Sequence, residues 1–366
     1  MKAFIENNPP VNFFEYLSGL LRSGDNFKDI LLTSRGRDAI QLAVDYLQIK
    51  ESNSILLPAL TCDTVSGVIS SNCRTIFYDL NNDYSIDTSV LERFLKKNLS
   101  IKAIYVIHYF GFIHKNMANI SSLCKKYGVA LIEDHAHSAL SDYDRNLADI
   151  QIFSFRKLFP TADGGGIRIA HRKMSSKFDF KSKLISNQKG LLIAFKRFAS
   201  LYSSGMRSSI GKLIQHDINR LNIGNIKIEP LPISSFGEGI IRSSDLETIS
   251  AIRRQQYLMW MKLLNTTHFN LLFPDLHNDT VPFGVPIKVE NPREILDHFK
   301  KFNVFLKVHW LALPAGTKDS CPISHLLAQT SITLPIYPGL KEEHMFFIKD
   351  ELLKYGIPFE TSNFLQ

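Results

Sequence analysis

A lysine stands three residues after a serine where an apolar run ends: Ile152-Phe153-Ser154-Phe155-Arg156-Lys157, then a turn closing on Asp163-Gly164-Gly165. At the mouth of a buried strand an ammonium group loses hydration, and the freed amine can attack a carbonyl and form a Schiff base. A solvated loop lysine would have the same local spelling. A second signal is Val129–Asp134, an apolar run ending in Glu133-Asp134 and followed by His135-Ala136-His137-Ser138. A carboxylate at the tip of a buried strand needs a partner, because an unpaired charge there is costly. A ligand cation, a helix cap or a surface arginine would each serve. The third is Ser34-Arg35-Gly36-Arg37-Asp38-Ala39-Ile40, opening an amphipathic stretch. Glycine at a helix start lets an anion approach the free N–H groups, although Ser34 and Asp38 also read as ordinary caps.

The elements that must carry these residues alternate. Residues 55–60, 75–80, 102–110, 129–134 and 150–155 are short, nearly continuous apolar runs, the pattern of strands buried on both faces. Between them Arg37–Leu47, Asp63–Ser70, Thr88–Lys97 and Asn116–Tyr127 have helical spacing, and Asp87 is placed to cap the third. The alternation predicts an α/β fold with a mostly parallel central sheet and helices on both faces. Ligands of such sheets bind at the carboxyl ends of the strands, which is where the three signals fall. If 150–157 continues as a strand, Arg156 points away from Lys157. After a short strand at 167–170, residues 171–235 carry twelve Lys and Arg against three acids, with an amphipathic helical stretch at 191–202. A long helix is expected over 244–264, a strand at 333–337 and a helix from Glu342.

The chain has 366 residues, 45% hydrophobic and 21% charged, which fits a large domain plus a smaller one and excludes disorder. We place them at 1–245 and 246–366, the second a smaller α+β unit. No apolar run reaches transmembrane length, and the first residues do not read as a signal peptide. The four cysteines (62, 73, 124, 321) have no metal or disulfide spacing, so reduced thiols and a cytoplasmic setting are expected. The net charge of +8 is accounted for by 171–235. Attraction of an anionic substrate is the preferred reading of that excess, ahead of a solvated face or contact with an anionic membrane. No helix-turn-helix, zinc-finger or RNA-binding pattern suggests nucleic acid. His108, His114, His135 and His137 invite a metal reading, but His135 and His137 alternate on an extended chain and no further ligand spacing supports one. Trp260 and Trp310 read as core or hinge residues.

Taken in order and spacing, SRGRDAI, LLPALTCDTV, FYDLNNDYSID, YVIHYFGF, LIEDHAHSAL, FSFRKLFPTADGGGI and ITLPIYPGL resemble the DegT/DnrJ/EryC1/StrS family of sugar aminotransferases, which have the fold type I pyridoxal 5′-phosphate (PLP) transferase fold. The resemblance covers roughly 33–345 and is poor across 175–235. It implies that Lys157 bonds to the cofactor and then shuttles protons, and that Asp134 keeps the cofactor's pyridine nitrogen protonated. His137 would lie near the phenolic oxygen. Ser154, Gly36 and Arg37 would meet the phosphate. Cys62 stands where the family often has a stacking aromatic, and His108 or Tyr109 would serve in its place. Arg242 is what remains of a segment that reaches the partner subunit, and Arg242 and Tyr109 are candidate substrate contacts.

The sequence departs from the family in its Ser-to-Lys step of three rather than five, in the absent stacking aromatic, in Ile240-Ile241-Arg242 where Asn-Tyr-Arg is usual, and in the long basic segment. The implied activity is amination of a nucleotide-linked keto-sugar, with glutamate as donor, by a homodimer supplying polysaccharide or glycoconjugate precursors. Other PLP chemistry on a sugar or non-sugar keto compound, or a non-catalytic relative, are the alternatives.

Overall fold

The computed structural model describes residues 5–6, 9–10, 18–170, 179, 184 and 228–359. The basic segment, apart from 179, 184 and 228–235, and the helix expected at 191–202 therefore lie outside the described residues.

The first half of the chain builds one sheet. Its strands are β2 (Leu31–Thr33), β3 (Ser54–Pro58), β4 (Arg74–Tyr78), β5 (Ile101–Ile107), β6 (Ala130–Asp134), β7 (Ile150–Phe153) and β8 (Gly165–Ile169). Two-residue β1 (Ile5–Glu6) pairs elsewhere. Across the sheet the order is β2-β8-β7-β6-β5-β3-β4. Strands β3 to β7 are parallel to one another, and β8 runs against both β7 and β2. All residues of β3, β6, β7 and β8 are buried, as expected of strands covered on both faces.

Helices α1 (Gly36–Tyr46), α2 (Asp63–Ser70), α3 (Thr88–Lys97) and α4 (Met117–Tyr127) make the crossovers. The α1 residues Ala39, Ile40, Leu42, Ala43 and Val44 are buried in the large core. Asp87 caps α3, accepting from the Ser89 amide at 2.8 Å. Gly128, at φ 65°, ends α4 in the left-handed conformation that glycine tolerates best. These elements match the expected alternation to within one or two residues at most ends. The largest departure is at β5, which ends three residues early, and β7 ends two residues early. Each apolar run leaves the sheet early and bends into a 3-10 turn, at Tyr109–Gly111 and Phe155–Lys157. Strand β2 is not anticipated from the sequence.

Beyond the basic segment come α5 (Ser235–Ser243), α6 (Leu246–Leu264), β9 (Val285–Lys288), α7 (Pro292–Lys300), β10 (Val304–Phe305), α8 (Pro322–Gln329), β11 (Ser331–Leu334) and α9 (Glu342–Tyr355). β9 and β11 pair antiparallel, and β1 pairs with β10. A second core gathers Trp260, Ile287, Phe299, Ile332 and Ile348, together with Ile5. Arg253 on α6 is fully buried and donates to the carbonyls of Phe283 (3.2 Å), Ile336 (3.1 Å) and Leu158 (3.4 Å). It fixes the residue after Lys157 against the segments that carry Phe283 and Ile336.

Candidate active site

The parallel strands share one carboxyl edge, and a cavity of about 110 Å³, open to solvent, lies along it. Strand β2 delivers Arg35, Gly36 and Arg37, and β3 delivers Cys62 and Thr64. β5 contributes Ile107, β6 contributes Asp134, Ala136 and His137, and β7 contributes Ser154, Arg156 and Lys157. Trp310 closes it from the C-terminal part. Seven candidates from the sequence thus meet in one space: Gly36, Arg37, Cys62, Asp134, His137, Ser154 and Lys157.

Asp134 is held by its neighbours in the sheet. Tyr105, two residues before Ile107 on β5, shares the cavity face and donates its hydroxyl to Asp134 Oδ2 at 2.7 Å. The Ala136 amide donates to Oδ1 at 2.8 Å. Burial first, and then the Asp134 charge, push the Tyr105 hydroxyl well above its ordinary pKa, so it stays a donor. The carboxylate is therefore fixed in direction, facing the cavity that also holds Lys157.

Lys157 ends the 3-10 turn after β7, and its Nζ lies 3.0 Å from His137 Nε2. Burial lowers the Lys157 pKa from 10.5, opposed by Cys62 and Asp134 and assisted by Arg156. The hydrogen bonds agree with an uncharged amine. The Phe110 amide donates to His137 Nδ1 at 3.4 Å, so the ring proton of neutral His137 sits on Nε2 and faces the amine lone pair. Burial, then Lys157, hold the His137 pKa well below 6.5. The His137 ring stacks on Phe283, centroids 4.2 Å apart and planes 5° apart. Trp310 lies 6.0 Å away at 22°. Trp310 is thus a cavity wall rather than a core residue, whereas Trp260 is fully buried and donates to the Pro335 carbonyl.

Four expectations about direction are corrected. His108 does not face the cavity. In β5 the inward residue is Ile107, so His108 turns to the opposite side, toward Glu133 (3.7 Å). Tyr109 is buried in the 3-10 turn and donates to the Leu60 carbonyl at 2.7 Å, so it cannot reach a substrate. Arg242 does not line the cavity. Its guanidinium donates to the carbonyls of Asn26 (2.9 Å), Phe27 and Ile30 (3.4 Å), fastening α5 to the segment before β2. Arg156 does face the cavity, because the chain at 155–157 is a 3-10 turn and not a strand.

His135 and His137 do point opposite ways. His135 stacks on Tyr143 (4.0 Å) and sits 3.3 Å from Glu133, which also accepts from Gln151 at 3.0 Å. The ligand atoms of His108, Glu133 and His135 lie within 4.8 Å of one another. They form a buried polar cluster in which His135 is within hydrogen-bond distance of Glu133 at 3.3 Å and His108 faces it at 3.7 Å. His108 Nδ1 accepts the His114 amide at 3.3 Å, which leaves the ring proton on Nε2, directed at Glu133. A cation there would have to displace that proton. Although burial raises the carboxyl pKa, contacts with His108 and His135 outweigh it and keep Glu133 well below the ordinary range.

On the other side of Lys157 is an anion cradle. Gly36 opens α1, and the first amides of a helix lack intrahelical acceptors. A Cβ at Gly36 would lie 3.5 Å from Ser154 Cβ and 3.7 Å from Ser154 Oγ, which places Ser154 beside the helix start. Burial lowers the Arg37 pKa to about 10, and Arg35 adds to the shift. Arg35 itself is engaged by Asp38, at 3.0 and 3.1 Å. Gly164 has φ 144°, and a Cβ at Gly165 would overlap the backbone of Arg35 and Gly36. The glycines after Asp163 are what allow β8 to pass that close to the helix start.

An amine, a fixed carboxylate, a flat wall of His137 and Trp310, and a helix start with Ser154 are the donor set a pyridoxal phosphate needs. The sheet order and the cavity at the strand ends define the fold type I architecture of the PLP-dependent transferases. The model of the DegT/DnrJ/EryC1/StrS aminotransferase family matches residues 26–190, and over this segment the chain is similar to that family. The UDP-4-amino-4,6-dideoxy-N-acetyl-beta-L-altrosamine transaminase of Campylobacter jejuni is 32% identical over 41% of this chain and 42% of its own. The chain thus spans about two fifths of the length of the first curated relatives it matches. The GDP-perosamine synthase of Escherichia coli O157:H7 is 23% identical over 88% of this chain and 84% of its own. Among solved structures, NtdA of Bacillus subtilis with bound cofactor PMP superposes with a TM-score of 0.64 at 18% identity, covering 97% of this chain and 86% of that one, a likeness of fold.

Proposed function

We propose that the protein is a PLP-dependent aminotransferase that moves an amino group, from glutamate, to a nucleotide-linked keto-sugar. The observation that carries this reading is the convergence of the Lys157 amine and the Asp134 carboxylate on one cavity, beside Gly36 and Ser154. The relatives are named as transaminases or synthases of UDP- and GDP-linked sugars, which supports the substrate class.

In this reading bound PLP would supply an electron sink for the bond-breaking steps. Lys157 would hold the cofactor covalently and afterwards move a proton as base and acid, which its lowered pKa favours. Asp134, fixed by Tyr105 and the Ala136 amide, holds a proton on the ring nitrogen. Gly36, Ser154 and Arg37 hold the phosphate. His137 orients the Lys157 amine and would meet the cofactor's phenolic oxygen. Cys62, Ile107 and Trp310 line the space around the ring and limit water. A homodimer, a cytoplasmic setting, a role in polysaccharide or glycoconjugate precursors, and the division at 245/246 belong to the same proposal. Among the described residues no helix is long and apolar enough to cross a membrane.

The test is reconstitution. The purified protein with PLP should absorb as a lysine-bound cofactor, bleach when glutamate is added, and recover colour with the right keto-sugar from a UDP, GDP and dTDP panel. A protein that takes up no cofactor would end the enzyme reading. Bleaching by glutamate with recovery only on non-sugar keto acids would move the substrate class.

A further inference from the structure

The family resemblance gives Arg156 no role, and the residue's surroundings give it one. Its side chain is accessible, yet what it faces is the cavity that holds Lys157. No carboxylate lies within ion-pairing reach of its guanidinium among the described residues, whereas Arg35 is matched by Asp38. Loss of hydration, and Arg35 nearby, lower its pKa from 12.5. An unmatched guanidinium at the wall of this cavity is placed to meet an anionic ligand that enters it.

The backbone says which part of the cavity Arg156 serves. Its amide donates to the Gly164 carbonyl at 3.2 Å, and the Gly164 amide donates to the Ser34 carbonyl at 2.8 Å. Gly165 follows, pressed against Arg35 and Gly36. One thickness of glycine backbone therefore separates Arg156 from the start of α1. Ser154, two residues earlier, flanks the same helix start.

Resting on the function proposed above, we infer that Arg156 is the guanidinium that closes the cofactor's phosphate site, completing the cradle of Gly36 and Ser154 from within one subunit. A planar guanidinium can take two phosphate oxygens at once, and an ammonium cannot reproduce that fork.

The test compares PLP with pyridoxal, which lacks the phosphate, in equilibrium titrations of the apoprotein followed by absorbance and fluorescence. Arg156→Gln should raise the PLP Kd by about 10- to 100-fold and leave pyridoxal binding within about twofold. Arg156→Lys should recover part of the loss. Inorganic phosphate should compete with PLP for the wild-type apoprotein and much less for Arg156→Gln. Circular dichroism of each apoprotein checks that the variants fold, with Arg156→Lys as the second variant should Arg156→Gln fail. Unchanged PLP affinity together with a raised glutamate KM would make Arg156 a donor-carboxylate anchor and overturn the inference. Equal losses for PLP and pyridoxal would overturn it too. A wild-type protein that binds neither compound removes the PLP reading itself, a result distinct from both.

Discussion

Replacing Gly36 with alanine separates what the fold requires from what the ligand requires. The added methyl would meet the Phe153 carbonyl oxygen at 3.4 Å, Ser154 Cβ at 3.5 Å and Ser154 Oγ at 3.7 Å, all ordinary contacts. Gly36 is also the first residue of a helix and does not need a left-handed backbone. The apoprotein should therefore hold its stability or gain up to about 0.5–1 kcal/mol, since alanine restricts the unfolded chain. The same methyl stands beside Ser154 Oγ, where a phosphate oxygen would sit. Pushing that oxygen back by about 1 Å costs at least one charge-assisted hydrogen bond, roughly 1.5–3 kcal/mol. The PLP Kd should thus rise by about 10- to 100-fold, read by titration, while urea melts of the apoprotein stay level. Gly165→Ala is the contrasting control, because its Cβ would overlap the backbone of Arg35 and Gly36 and the loss should appear in folding itself. If Gly36→Ala binds PLP like the wild type, the phosphate does not lie at this helix start. If the apoprotein loses more than about 1 kcal/mol, the glycine serves packing and the reasoning fails from the other side.

Three other outcomes are expected. Lys157→Ala should abolish the lysine-bound absorbance and any borohydride-fixed label on the chain, and a variant that still labels would mean another lysine is used. Tyr105→Phe leaves Asp134 Oδ2 without its 2.7 Å donor, so the apoprotein should lose about 1–2 kcal/mol in urea melts. A loss near zero would mean that water replaces the hydroxyl. Acid should weaken the apoprotein before the ordinary carboxylates titrate. Burial pushes His114 down to about 3 and His135 to about 4, both from 6.5. The unfolded chain takes these protons first, so stability falls with pH from about 6.5 downward, by roughly 2 kcal/mol per histidine at pH 5. Glu133, held below 4.5, adds a further loss beneath that pH. Urea midpoints that stay flat between pH 7.5 and 5 would refute this.

Most of the sheet and its crossovers was legible, because fully buried parallel strands spell continuous apolar runs and the helices between them keep their own period. Seven residues that line the cavity were legible for the related reason that strand ends in such a sheet converge. Three of the misreadings share one cause. The runs at 102–110 and 150–155 stay apolar after the chain has left the sheet, since Tyr109, Phe110 and Phe155 are buried in turns as deeply as strand residues are. Extending the two-residue alternation through those turns sends His108, Tyr109 and Arg156 to the wrong sides. Tyr105 could have been found by counting back from Ile107. Trp310 could not, because nothing local in the sequence brings residue 310 to the strand ends. Arg242 looked available because hydrogen bonds to backbone carbonyls leave no trace in sequence.

The adjacent acids of β6 show how one strand divides its labour. Successive side chains of a strand face opposite sides, so Glu133 and Asp134 can both be buried without repelling each other at contact distance. Glu133 accepts from Gln151, lies within hydrogen-bond distance of His135 and faces His108 at 3.7 Å, so its charge has partners within the protein. Asp134 receives two neutral donors and no cation from its fixed partners. Its network aims the carboxylate but leaves its charge largely unanswered. That difference separates the pair, though both are acidic in sequence: Glu133 is engaged by Gln151 and His135 within the protein, and in the function proposed above a positively charged ligand would complete the Asp134 side. The same reasoning applies across the cavity at Arg156, where the missing partner is an anion. A ligand with a protonated ring nitrogen at one end and a phosphate at the other satisfies both, with Lys157 placed to bond to it.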